Sequence, residues 1–348
     1  MNPVVVVGGY GTFGALVCRE LAARGVALTI AGRDLAKAEA FARQLGSGND
    51  GIAIDLRRPD SFRAVLKGRC VAVNCAGPFS LCDTKFLEAC LSCSCHYADI
   101  ADGRGYANLV RRIGPRFAAA GLAAVWGCSS LPGISGALAH QICGREKQRP
   151  KIVRATLFIG NNNPKGRAAV ASLVQGLGRP IAAPQGMLRA GGGREFVSLP
   201  PPFGRRLVFN FDSPDYDLLD VPIITVKVGF ELGLCTLGLS LLAHSGLCFG
   251  RRISDMLATA GNWLKGIGCS GGAVLVEAFF LNGENQRAAV VSPNDGQRMA
   301  ALPCALVVKA LLDGTSFRGA GTAYELLGAD RLLNEMAAAG FDVWPQSA

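Results

Sequence analysis

The sequence predicts an α/β protein: an N-terminal doubly wound parallel sheet followed by a second domain that combines helices and strands. Three observations carry this. A fully apolar run, Val4–Val7, meets Gly9, Gly11 and Gly14 just before a helical pattern. Short strand-like and helix-like segments then alternate strictly to about residue 130, as a parallel sheet with crossover helices requires. Beyond that point apolar runs at 205–211, 222–230 and 273–281 support a separate domain. A length of 348 residues suits two domains.

The elements justify themselves in order. Val4–Val7 lacks polar alternation, which suits a strand covered on both faces. Phe13, Leu16, Val17 and Leu21 recur at helical spacing, and Gly25 closes that helix. Ala27–Ala31 is the second strand. Asp34 can cap the next helix, whose stripe is Leu35, Ala38, Phe41 and Leu45, ending at Gly46. "GIAID" gives a third strand to Asp55, and Pro59 opens a third helix to about Lys67. "CVAVNCAG", "CHYADI" and "LAAVWG" are strands four to six, with helices at about 81–91 and 105–120. Right-handed crossovers order the strands 3-2-1-4-5-6. In the second half, 151–160 reads as a strand and 167–177 as a short helix. Further helices cover about 297–312 and 323–339. The domain boundaries are 1–130 and 131–296, with the C-terminal helices of 297–348 free to pack back on the first domain.

The glycine run is a candidate dinucleotide cradle. Gly9 permits the tight turn, Gly11 leaves room for a pyrophosphate, and Gly14 lets helix and strand pack closely. Tyr10, Thr12 and Phe13 lie in the same turn, and the helix start offers free N–H groups to negative charge. The second strand ends in "AGRD". Arg33 stands where a carboxylate would hold the ribose hydroxyls of NAD, and its planar cation matches a 2′-phosphate, so NADP is preferred over NAD. Asp55 ends strand three, where it can meet the adenine amino group or cap the next helix. Asn74, Ala76, Gly77 and Pro78 end strand four, where small residues keep the backbone close to the nicotinamide half.

"GGYGTFG", "AGRD", "VNCAGPF", "FLEACLSCSCHYADI" and "CSSLPGISGALA" together resemble the saccharopine dehydrogenase-like family of oxidoreductases. "PPPFGRR" and the stretch from "LNGENQ" to "LLDGT" extend the likeness more loosely. The resemblance implies an N-terminal Rossmann domain and a substrate domain on a mixed sheet. It also implies C-terminal helices that return to the first domain. Members include saccharopine reductases, carboxynorspermidine dehydrogenases and trans-acting enoyl reductases of lipid biosynthesis, so it names no single substrate.

Other chemistries compete for these residues. The tyrosine–lysine pair of short-chain dehydrogenases is absent: Tyr10, Tyr97, Tyr106, Tyr216 and Tyr324 are followed four residues on by Gly14, Ala101, Val110, Asp220 and Gly328. Cys90, Cys93, Cys95 and His96 are ligand types, but they straddle a helix end and a strand start, so packing is preferred to metal. Asp99, Tyr97 and Asp102 sit at the end of strand five and are the candidate general acids or bases, Asp99 first. Each can equally be a cap or a loop hydrogen bond. His140, on the helix after "LPGISG", reads as an exposed helical residue before a catalytic one.

The net charge of +10 is scattered, with no block of Lys and Arg longer than two, which argues against nucleic acid and for a solvated surface, an excess that would also steer an anionic substrate or phosphate-bearing cofactor. Thirteen cysteines, an odd number with no secretory signal before them, fit reduced thiols in a cytoplasm. Leu232–Gly250 has no full charge over 19 residues. Its glycines and His244 argue for a buried element of the second domain before membrane-surface contact, and for either before a span. The expected function is an NADP-dependent oxidoreductase acting on a carbonyl, imine or activated double bond of a small molecule, with a homodimer as a candidate assembly. The alternatives are a non-catalytic NADP(H)-binding partner or sensor, and an enoyl reductase working beside a lipid-making enzyme.

Overall fold

A computed structural model describes residues 2–145, 149–245, 251–263 and 266–345. The chain divides into two units: Met1–Ser129 with Ala301–Leu327, and Ser130–Ala300 with Gly328–Ala348. The stretch 297–348 is thus shared between them rather than assigned to the first alone.

The N-terminal elements are β1 (Val4–Val7), α1 (Thr12–Ala23), β2 (Leu28–Gly32), α2 (Leu35–Gln44), β3 (Asp50–Ala53), α3 (Phe62–Leu66), β4 (Val71–Asn74), α4 (Lys85–Ser92), β5 (His96–Asp99), α5 (Arg104–Ala119) and β6 (Ala123–Trp126). They continue through α6 (Ser135–Arg145), β7 (Ile152–Ile159), α7 (Arg167–Gly176), β8 (Pro180–Ala183), β9 (Gly186–Arg189), β10 (Glu195–Ser198), β11 (Arg205–Asn210), β12 (Ile223–Phe230), α8 (Gly233–His244) and α9 (Arg251–Trp263). The chain closes with β13 (Gly272–Phe279), β14 (Asn285–Ser292), α10 (Gly296–Leu312), β15 (Gly319–Thr322), α11 (Ala323–Leu327), α12 (Ala329–Ala338) and β16 (Asp342–Trp344).

The first unit is a Rossmann-type parallel sheet in the order β15-β6-β5-β4-β1-β2-β3. All four valines of β1 are buried, because strands pair on both sides of it and helices cover both faces. Asp34 caps α2 by accepting from Lys37 N at 3.1 Å. Three expectations need correction. The helix of 81–91 begins only at Lys85, because a 3₁₀ turn at Phe79–Leu81 precedes it. Leu35 is exposed, so the buried face of α2 is Ala38, Phe41 and Ala42. The helix of 323–339 is two helices, because Gly328 adopts φ +83 and breaks it.

The second unit is built on a mixed sheet, β10-β11-β12-β7-β13-β14-β16, with only β7 and β12 parallel. Helices α6 and α12 pack together, with α6 on β13 and β14, while α8 lies on β11 and β12. The strands also carry charged residues, and these pair across the sheet. Arg154 reaches Glu195 at 3.2 Å and Glu277 at 3.4 Å, Lys227 reaches Glu195 at 3.0 Å, and Arg287 reaches Glu277 at 3.2 Å. Alternating signs let largely buried charges stand on neighbouring strands. A second polar knot holds the start of α6: buried Asp215 accepts from Ser135 Oγ at 2.5 Å and from Ser213 Oγ.

Segment 232–250 differs from the expectation of a buried element. Its last residues, 246–250, lie outside the described residues. The rest forms α8, of which only Thr236, Ser240 and Ala243 are buried. No described helix is long and apolar enough to cross a membrane.

Candidate functional site

The site starts from the turn after β1. Gly8 N donates to Ala31 O at 2.8 Å, and Gly11 N donates back to Gly8 O at 2.9 Å. Gly8, not Gly9, is the left-handed residue, at φ +77. A Cβ on Gly8 would also lie 2.9 Å from the carbonyl carbon of Cys75. The sequence signal was the glycine doublet, whose first member falls outside the three-glycine spacing.

The two later glycines answer to different neighbours. An ideal Cβ on Gly14 would fall 2.1 Å from Gly8 O, so the first turn of α1 rests against the turn backbone. A Cβ on Gly11 would meet only Gly8 O, at 3.0 Å, and otherwise points into open space. Gly11 is the N-cap of α1 and offers no side-chain cap, and the first turn holds no acidic residue. The N–H groups of that turn therefore have no side-chain cap from their own N-cap residue. Thr12 and Phe13 lie half-buried in the same turn.

Tyr10 bridges this turn to the end of β2. Its hydroxyl accepts from Asp34 N at 3.0 Å, and its ring lies over Gly32, where a Cβ would be 2.4 Å from the ring. Gly32 was not singled out in the sequence; only the position of the Tyr10 ring shows that it must be bare. Arg33, the next residue, is exposed and makes no hydrogen bond or ion pair among the described residues, while its charge acts on nearby Asp55. Asp55 itself is engaged by Arg57. It accepts from the Arg57 backbone N at 3.1 Å and from the guanidinium at 2.6 Å, which drives its carboxyl well below the usual carboxylate range.

On the other side of β1, Asn74 is buried at the end of β4, and its Oδ1 accepts from Ala76 N at 3.0 Å. Ala76, Gly77 and Pro78 follow as a half-buried loop with a cis Gly77–Pro78 bond. Asn74 pairs in register with Asp99 on β5.

Asp99 is fully buried. Its Oδ1 accepts from Ala101 N and Gly127 N, both at 2.9 Å, and so ties the ends of β5 and β6. Its Oδ2 is buried without a hydrogen-bond partner. Burial outweighs the two N–H donors and the neighbouring Tyr97 hydroxyl, and pushes its pKa up to about 7. Tyr97 is also fully buried, with its hydroxyl 2.9 Å from that of Tyr106, and burial drives its pKa far upward. Tyr106 was not picked out in the sequence. Asp102 is half-buried, and desolvation raises its carboxyl.

The cysteine–histidine group lies where α4 ends and β5 begins. His96 Nδ1 accepts from Ala123 N at 3.0 Å and so braces β5 to β6, while Cys90 and Cys95 are buried. Among the described residues no group of three or more His, Cys, Asp or Glu side chains is placed to hold a metal. His140 is exposed on α6.

The comparisons with known proteins bear on this geometry. Residues 4–125 match the family described as saccharopine dehydrogenase NADP binding domain. Apo histidine-tagged saccharopine dehydrogenase (L-Glu forming) from Saccharomyces cerevisiae superposes at a TM-score of 0.65 with 14% identity, covering 99% of this chain and 100% of that one. That likeness shows the fold across both units. A short-chain type dehydrogenase/reductase from Mycobacterium ulcerans (15% identity, TM-score 0.30) covers 35% of this chain and 65% of its own. Sorbitol-6-phosphate 2-dehydrogenase from Erwinia amylovora (17%, 0.30) covers 35% and 69%. At those scores neither carries an argument. No curated protein matches the chain by sequence.

Proposed function

We propose, from a first unit that belongs to the saccharopine dehydrogenase NADP-binding family, that this chain is an NADP-dependent oxidoreductase acting on a small molecule. The observation that carries the reading is the pairing of an uncapped glycine cradle with an unpaired cation. The N–H groups of α1 and the bare Gly11 would hold a pyrophosphate. Arg33, exposed just after β2 and without a hydrogen bond or ion pair among the described residues, would take the 2′-phosphate. Tyr10 floors the adenosine side over Gly32, and the loop Asn74–Pro78 lines the nicotinamide side. Asp55, spent on Arg57, borders the adenine end.

When bound, NADP(H) supplies or accepts a hydride at nicotinamide C4. The protein's own part is to orient the reactants and to hold a proton. Asp99 is the residue suited to the second task, since its unpartnered Oδ2 keeps a proton up to about neutral pH. Tyr97 stays protonated and is committed to Tyr106, so it positions the neighbourhood rather than exchanging protons. Asp102 is the more accessible carboxylate and the second candidate. The full burial of Asp99 favours one rival, an NADP(H)-binding protein without turnover.

One screen separates them. NADPH oxidation against keto acids with amines, aldehydes and enoyl thioesters is expected to give turnover with one class. Tight NADPH binding with no turnover in any class would favour the binding protein. Arg33→Asp tests the cofactor choice. It removes a charge-assisted contact worth about 1.5–3 kcal/mol, so NADP affinity should fall at least roughly tenfold more than NAD affinity. Equal losses by calorimetry would leave Arg33 a surface residue.

A further inference from the structure

We propose that the helical layer of the second unit, α7 to α9, docks on an anionic membrane surface. The first observation is the inverted polarity of α8, "GLCTLGLSLLAH". Its polar residues face inward: Thr236 Oγ1 accepts from Phe230 N at 3.1 Å, and Ser240 Oγ donates to Gly191 O at 2.5 Å. Two of its leucines face outward, Leu234 being 84% exposed and Leu241, seven residues on and so on the same face, 55%, while Leu239 packs on the core. An ordinary surface helix does the reverse.

The second observation is that α9 also exposes large apolar side chains. Met256 is 61% exposed and Trp263, again seven residues on, 85%. Ile267 and, on the β8–β9 hairpin, Met187 add further exposed apolar side chains. Several large apolar residues at helical spacing, with a tryptophan at one end, suit the boundary between headgroups and acyl chains.

The charge around these helices selects the occupant. Segment 161–194 carries Lys165, Arg167, Arg179, Arg189 and Arg194, and no Asp or Glu. The structure places two of these cations, Lys165 and Arg167, along α9. The Lys165 stem lies against Gly261 of α9, where a Cβ would be 2.5 Å from it. Arg167 opens α7, which packs on α9. The backbone at Gly178 and Gly191, next to Arg179 and beyond Arg189, lies under the buried face of α8 at Ala243, and both arginines are themselves exposed. From 232 to 263 the only carboxylate is Asp255. Exposed apolar side chains flanked by a segment rich in cations and free of carboxylates fit a lipid surface bearing negative headgroups, which supplies apolar depth and charge together. This inference is independent of the cofactor reading.

The test is flotation of the full chain with vesicles of phosphatidylcholine alone or with phosphatidylserine added. Binding is expected only to the anionic vesicles, and about 0.5 M salt should weaken it by screening the charges. The triple variant Leu234→Ser/Leu241→Ser/Trp263→Ser should lose at least about tenfold in vesicle binding, and Arg179→Glu/Arg189→Glu should lose a comparable amount. Both should keep wild-type NADPH affinity and thermal midpoint, since all five side chains lie outside the core. No binding to anionic vesicles, or equal binding by wild type and triple variant, would overturn the proposal. So would self-association that the triple variant abolishes in a protein that ignores vesicles, because the occupant would then be a second copy.

Discussion

Gly14→Ala is expected to destabilise the first unit by about 3 kcal/mol, while Gly11→Ala costs under about 1 kcal/mol and lowers NADPH affinity by roughly tenfold or more. The two glycines stand one helical turn apart, yet a methyl group meets different surroundings at each. On Gly14 it would lie 2.1 Å from Gly8 O, a backbone atom that cannot rotate away. Gly8 is itself pinned, through its N–H to Ala31 O and by its φ of +77. Relief must therefore come from moving α1 off the sheet, which opens the packing of the buried Val17, Cys18 and Leu21. On Gly11 the same methyl meets one oxygen at 3.0 Å, and the backbone at φ −75, ψ 172 is one that any residue adopts. Its cost falls on the ligand that must approach the bare turn. Thermal unfolding and calorimetric titration with NADPH, run on both variants, separate the effects. Wild-type affinity in Gly11→Ala would remove this turn from the cofactor site.

The same pair shows where the sequence was legible. The three-glycine spacing, the apolar strand before it and the helical stripe after it are local patterns, and the sheet order follows from them by handedness alone. Asp34 as a cap is likewise local, because its partner lies three residues away. What escaped is fixed by tertiary neighbours. Strand β15, "GAGT", has no apolar pattern at all and is a strand only because it pairs with β6. The division of labour between Gly8 and Gly9 depends on the passing backbone of Cys75. Within the apolar run 232–250, it is Thr236 and Ser240, with Ala243, that face inward. The charges of β7, β10, β12, β13 and β14 read singly as exceptions and make sense only as partners across the sheet. For the candidate site, the residue types were readable, but the burial of Asp99 and its bond to Gly127, 28 residues on, were not.

That burial gives the second large effect. Asp99 titrates near 3.8 when unperturbed and is pushed to about 7 in the folded protein. The unfolded chain therefore gives up this proton first. Between about pH 4 and 7 the folded state binds more protons at this site than the unfolded state, so stability falls as pH rises, levelling off above 7. The full penalty is about 4 kcal/mol, an upper value for a group this deeply buried. Asp99→Asn keeps an oxygen to accept from Ala101 N and Gly127 N and abolishes the titration. Its amide lies where Oδ2 has no partner, much as the hydroxyl of the protonated acid does. Near pH 4 the two proteins should thus agree in stability to within about 1 kcal/mol. At pH 8 the variant should be more stable, by up to about 4 kcal/mol. Urea unfolding at both pH values measures the difference, and contributions from other titrating groups cancel between the two proteins. A gap of the same size at pH 4 and pH 8 would mean that Asp99 carries no buried charge. A carboxylate that costs stability where an amide would serve implies a use for its proton. If that use is turnover, Asp99→Asn should bind NADPH as the wild type does and lose the oxidation that the substrate screen detects.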